Sequence, residues 1–246
     1  MSFETISLFF LILLFAIAFL YSSVGHGGAS GYLALMALFS MAPETMRPTA
    51  LVLNIFVAGT GFIQYYRGGH FRWSLFWPFA IASVPAAFIG GLLKLDPGMY
   101  KIILGILLLF SVYRLLIDNK DLQKHRNKQN LLLSVIIGAV IGLISGMIGI
   151  GGGIILSPVI LLLHWGNMKQ TAAVSALFIL INSISGLTGM IMQGVHFNPD
   201  MVLMVIIAFF GGLAGSYIGS IRMSNVNLKR LLAVVLLLAS VKLLFA

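Results

Sequence analysis

The chain reads as a succession of apolar stretches divided by short polar joints. Leu8 to Leu20, Ile102 to Phe110 and Leu231 to Leu238 carry no polar face at helical spacing, and a helix apolar all round is buried in protein or in lipid. A crossing needs about 20 apolar residues for a hydrocarbon core of about 30 Å. That ruler yields ten hydrophobic segments, roughly 3–22, 29–41, 46–65, 73–93, 99–117, 131–148, 153–164, 170–192, 200–221 and 228–245. Two of them, 29–41 and 153–164, are too short to cross comfortably, and each follows a glycine cluster. The pattern predicts an all-α, polytopic membrane protein.

The one strongly polar stretch is Asp118 to Asn130, DNKDLQKHRNKQN. It reads as an exposed linker, 118–130, between a first membrane repeat, 1–117, and a second, 131–246. Gly25, Gly27 and Gly28 fall on Gly149, Gly151 and Gly152 at an offset of 124. Thr49-Ala50-Leu51 falls on Ser175-Ala176-Leu177, and His70-Phe71 on His196-Phe197, both at 126. Gly91 and Lys101 fall on Gly219 and Lys229 at 128. The offset drifts in one direction only, as loop insertions between duplicated halves would make it. Each half holds five crossings, or three if its first two segments form a re-entrant hairpin. Both counts are odd, so the two repeats are expected to be inverted, a plan that places transport sites near the midplane.

Composition sharpens the class. Hydrophobic residues make up 60% of the chain and charged residues 9%, where soluble domains carry about a quarter charged. The net charge of +9 does not indicate nucleic acid, because the basic residues sit at segment ends and form no phosphate-tracking face. They act as topology signals instead. A cytoplasmic linker puts Arg67, Arg72, Arg114, Lys120, Lys124, Arg126, Lys128, Lys169, Arg222, Lys229 and Arg230 inside, leaving Arg47, Lys94, Lys101 and Lys242 outside. The expected location is the cell (inner) membrane, multi-pass, with both termini extracytoplasmic. The first apolar run lacks a basic flank and has an internal counterpart, so it is expected to stay in the mature protein. With no cysteine, disulfides and thiolate metal sites are excluded.

The informative polar positions are SSVGHGGASG, Ser22 to Gly31, and SGMIGIGGG, Ser145 to Gly153. Each glycine inside a helix costs about 1 kcal/mol against alanine, so such clusters should stop a helix. Backbone released inside a membrane survives only when buried in protein or lining a wet cavity. The helix restarting after the break presents free N–H groups and the positive end of its dipole. Gly25, Gly27, Gly28, Gly149, Gly151, Gly152 and Gly153 are therefore candidates for two anion cradles without fixed charge, facing one another across the repeat. By contrast, Gly90, Gly91, Gly211, Gly212 and Gly215 read as close helix packing.

Further donors are expected from Thr49 and Asn54, matched by Ser175 and Asn182, and from Ser22, Ser23 and Ser145 flanking the breaks. Thr171, Ser183 and Ser185 are weaker candidates. An oxyanion is all acceptors, which suits hydroxyl and amide donors; the competing use of these groups is interhelical hydrogen bonding. His26 is the one titratable residue inside a break. A helix N-terminus disfavours imidazolium while a bound anion favours it, which offers a route to couple proton and anion. His70, His196 and the His164-Trp165 pair read as interfacial anchors.

Enzyme readings find no support. The six carboxylates, Glu4, Glu44, Asp96, Asp118, Asp121 and Asp200, lie at segment ends or in loops. No metal spacing and no Ser/His/Asp constellation falls within a segment, and no phosphate-binding loop marks an ATPase. No metal or cofactor is expected. The expected partners are a small anion and the lipid bilayer, with a homo-oligomer left open.

Gly149-Ile150-Gly151-Gly152-Gly153 followed by Pro158, the related Gly25-His26-Gly27-Gly28 in the first half and the central polar linker resemble the TauE/SafE family of membrane transporters. The resemblance spans essentially the whole chain and implies export of sulfite or organosulfonates. The first copy departs from the pattern: His26 occupies the variable position, Ala29 replaces the third consecutive glycine and Ala34 aligns with Pro158. Another small anion such as a carboxylate, carried by a permease or channel, and a non-transporting membrane assembly subunit are the competing readings.

Overall fold

A computed structural model describes residues 7–23, 25–116, 127–195, 197, 199–221, 236–238 and 240–245. The described secondary structure is helical. The helices are α1 (Leu8–Ser23), α2 (Ala29–Leu38), α3 (Pro43–Arg67), α4 (Trp73–Leu92), α5 (Pro97–Leu116), α6 (Leu131–Ile148), α7 (Gly153–Leu162), α8 (Met168–Met192) and α9 (Met201–Ile221). A shorter apolar helix, Leu236–Phe245, follows. Among the described residues five helices, α3, α4, α6, α8 and α9, are long and apolar enough to cross a membrane. Most of the linker, His196, Arg222, Lys229 and Arg230 lie outside the described residues.

Element ends follow local chemistry more closely than the apolar ruler does. The third segment was expected from residue 46, yet α3 starts at Pro43, because proline is pre-set for the first turn of a helix. The sixth and eighth begin at asparagine caps. Asn130 Oδ1 accepts from Leu133 N–H at 3.0 Å. Asn167 Oδ1 accepts from Gln170 N–H at 2.9 Å, and Gln170 Oε1 returns the bond at 3.3 Å, a reciprocal capping box. The short segments are shorter than expected, α2 ending at Leu38 and α7 at Leu162.

Those two helices do not continue outward. Gly31 of α2 lies against Ile17 and Tyr21 of α1, and Phe39 meets Phe10 with ring centroids 5.1 Å apart. The chain thus runs down α1, turns at the glycines and returns along α2. The second half does likewise: Asn127, just before α6, donates Nδ2 to Leu163 O and N–H to His164 O beyond α7. Both short helices therefore belong to antiparallel helical hairpins.

Long helices hold these hairpins. α6 packs along α4, where Gly138, Gly142 and Gly146 face the backbones of Phe79, Ser83 and Ala87. α1 packs along α9, where Gly211, Gly215 and Gly219 face the carbonyls of Phe15, Phe19 and Ser23. A Cβ at any of these glycines would strike main chain, so the helices approach as only small residues allow. α3 and α8 cross at the centre; α4 also packs on α8, and α9 on α3.

Candidate functional site

Each hairpin tip is closed by a left-handed glycine. Gly25, at φ 76°, donates its N–H to Ser22 O, and His26 N–H reaches Tyr21 O. Gly149, at φ 88°, and Ile150 both donate to Ser145 O, at 2.8 and 3.3 Å. This is a helix C-terminal cap that favours glycine because a Cβ is penalised there. The N–H groups of Gly25 and Gly149 are therefore engaged within the fold. The restarting helices are capped by Gly28, φ 94°, and Gly152, φ 82°. Among the described residues the N–H groups of Gly27, Gly28, Gly151 and Gly152 meet no acceptor.

The two restarts meet at the centre of the bundle. A Cβ on Gly27 would lie 2.5 Å from Asn54 Oδ1 and 2.9 Å from Ile179 Cγ2. One on Gly151 would lie 2.6 Å from Asn54 Nδ2, 2.8 Å from Ile179 Cγ2 and 3.0 Å from Ser183 Oγ. Asn54 and Ile179 are each the twelfth residue of a 25-residue helix, α3 and α8. Both breaks therefore flank one amide halfway along the two central helices. Asn54 donates Nδ2 to Ile150 O at 3.1 Å, while its Oδ1 is buried without a partner. Gly153 lies against Ile179 and near Ser175 O.

A second polar chain crosses beside the first. His26 Nε2 and Ser157 Oγ are 3.0 Å apart, and Ser157 Oγ and Ser175 Oγ 2.8 Å apart. The first break is thereby joined to α7 and α8. Tyr21, whose hydroxyl pairs with Ser30 Oγ at 2.7 Å, flanks the His26 ring. Between them lies a cavity of about 10 Å³ that His26, Gly27, Gly28, Ile150 and Ile179 help to line. That is room for about one water molecule.

Other candidates are distributed differently. Asn182 is buried but donates to Phe178 O of its own helix at 2.8 Å, with Oδ1 unpartnered. Ser22 and Ser145 are buried with unpartnered hydroxyls, as are Thr171 and Ser183. Ser23 donates to Leu20 O, and its own carbonyl accepts from Tyr65. Thr49 is buried in α3. Ser185 staples α8 to Val84 O of α4, away from the breaks. Trp165 corrects an expectation: it is 5% exposed and packs on Phe79 in the core, so it is no interfacial anchor.

Ser157, Tyr21 and Ile179 were not singled out from sequence, and Arg47 was read only as a topology signal. Ser157 had a signal, a hydroxyl beside Pro158 inside an otherwise apolar short helix. Ile179 had none. Among the described residues no three His, Asp or Glu side chains gather as metal ligands would.

Apolar spanning helices around a buried polar centre define a membrane transporter, not an enzyme. The chain matches the family described as sulfite exporter TauE/SafE over residues 9–243, and it belongs to that family. It is 37% identical over 240 residues to the probable membrane transporter protein y4hK of Sinorhizobium fredii (strain NBRC 101917 / NGR234), covering 95% of this chain and 96% of that one. Two proteins of Bacillus subtilis (strain 168) are more distant. Probable membrane transporter protein YunE is 22% identical over 83% of this chain and 82% of its own length, and YdhB 24% over 85% and 87%. No solved structure matches the chain.

Proposed function

We propose that the protein exports a small sulfur oxyanion, sulfite or an organosulfonate, by secondary transport across the cell membrane. The anion is held by the N–H groups of Gly27, Gly28, Gly151 and Gly152 at the starts of α2 and α7, with Asn54 between them. The observation carrying this reading is that both glycine breaks adjoin the one Asn54 amide at the twelfth residue of α3. Free N–H groups and two helix dipoles then converge where no fixed charge stands. The sulfur chemistry is taken from the family's description.

The two halves form an inverted repeat. Its support is the pairing of α1 on α9 with α6 on α4, and of α3 on α9 with α8 on α4. Equivalent positions also meet equivalent partners: Gly25 abuts Ala172, the fifth residue of α8, and Gly149 abuts Arg47, the fifth residue of α3. The linker is cytoplasmic and each hairpin enters from its own side. The central cavity of about 10 Å³ admits about one water, so the site is closed here and opens in turn to each face. Uptake of labelled sulfite into proteoliposomes, with and without a pH gradient, tests the function. Saturable sulfite flux that a sulfonate inhibits and a carboxylate does not is the expected result. Carboxylate flux without sulfite flux would reassign the substrate, and no anion flux at all would reject transport.

A further inference from the structure

Arg47 and Lys94 help to line a cavity of about 280 Å³ between the start of α3 and the ends of α4 and α8. Small-ligand sites begin at about 300 Å³, so the space suits a small ion. Two of its lining residues touch the second break or the helix end before it. Its wall includes Tyr100, which is buried and donates its hydroxyl to Ile148 O at 3.3 Å, and the backbone of Arg47 abuts Gly149.

Arg47 is held in place with capacity to spare. Its Nη2 donates to Leu93 O at 3.2 Å, while Nε is buried without a partner. A buried unpaired donor is costly, and a guanidinium fork matches the oxygens of a sulfonate, sulfite or phosphate better than those of any neutral solute. Glu44 is the carboxylate on the same wall, set against the two cations. The equivalent place at the first break is Ala172, so this charge stands on one side only.

We infer that this cavity is an exit vestibule for a small soluble oxyanion on the extracytoplasmic side, with Arg47 as its binding group and Lys94 as its attracting charge. It receives the anion released from the second break, and in that respect it rests on the proposed transport site. Permanent charge thus stands outside the central site, where it draws the anion outward without trapping it at the centre.

The native absence of cysteine makes the test direct. Val195→Cys, or Leu95→Cys if the first variant misfolds, places a single thiol on the cavity wall. In phospholipid-free detergent, a negatively charged methanethiosulfonate reagent should modify it about tenfold faster than a positively charged one, the low end of electrostatic focusing. The preference should fall to about unity with Arg47→Gln and Lys94→Gln together. Methanesulfonate should protect the thiol. Equal rates in the parent, or a preference that survives both substitutions, would overturn the vestibule. Protection by a short-chain phosphatidylglycerol at far lower concentration than methanesulfonate would overturn it too, because the site would then hold a lipid headgroup. Sulfite flux with no reagent preference defeats the vestibule alone, whereas preference and protection without flux defeat the transport reading alone.

Discussion

His26 Nε2 lies 3.0 Å from Ser157 Oγ, so the first glycine break is tied by a titratable ring to the short helix that follows the second. Ser157 passes the link to Ser175 at 2.8 Å. Opening either hairpin must stretch or break this chain. Histidine is the side chain whose ordinary titration falls between pH 5 and 8, and an anion between the helix starts favours its charged form. His26→Gln keeps an amide donor that can reach Ser157 but cannot titrate. Flux should persist, with its dependence on pH between about 5 and 8 flattened. A pH profile identical to the parent's in proteoliposomes would show that His26 does not couple the proton.

The glycines of one break should respond differently to the same change. Gly28 and Gly152 sit at φ 94° and 82°, whereas Gly27 has no left-handed angle. Gly28→Ala and Gly152→Ala should each lose about 1–3 kcal/mol of stability from backbone strain. Gly27→Ala adds a Cβ against the movable ends of Asn54 and Ile179, so thermal unfolding should change less while flux falls at least as far. If Gly27→Ala transports normally, the close approach of that backbone to Asn54 has no role in transport.

How much of this was legible beforehand varies with the kind of signal. Helix breaks at Gly25 to Gly28 and Gly149 to Gly153 follow from glycine chemistry, and α2 and α7 start where the clusters end. Parity left two arrangements for the short helices; the long-range contacts of Phe10 with Phe39 and of Asn127 with His164, which no periodicity predicts, pair each with the helix before it. Within the site, paired polar residues pointed to Asn54 and Ser175, but not to their unlike partners. Asn54 reaches across to Ile150, while its counterpart Asn182 turns to its own helix. Arg47 read as a topology signal because one-dimensional charge counting cannot see Gly149 beside it. Trp165 read as an anchor because flanking position says nothing of the Phe79 ring that covers it.

That difference between the asparagines is testable. Asn54→Leu strips the Ile150 carbonyl of its donor, and an unpaired buried carbonyl costs about 1–3 kcal/mol. Asn182→Leu removes a bond to Phe178 O within one helix, where the main chain already supplies a partner. Unfolding in detergent should therefore shift more for Asn54→Leu, and sulfite flux should drop by more than tenfold only there. Equal losses of flux would make the two amides equivalent members of the site, whatever their present partners.

His70 supplies a pH test outside the membrane-spanning helices, in the joint between α3 and α4. Burial, and then the nearby charge of Lys169, hold its imidazole below the usual 6.5. Because the folded value is depressed, the folded protein prefers neutral His70. The stability this contributes is complete above about 6.5 and is lost as pH falls through the lower folded value. Lys169→Ala should move the titration upward only part of the way, since burial is the larger cause. The imidazole resonances of the detergent-solubilised protein, assigned with His70→Gln, give that midpoint directly. Thermal stability of the parent should also fall slightly more than that of His70→Gln on acidification below 6.5. A midpoint at or above the ordinary value, or one untouched by Lys169→Ala, would remove Lys169 from the neighbourhood of this joint and with it the packing of the start of α8 beside the end of α3.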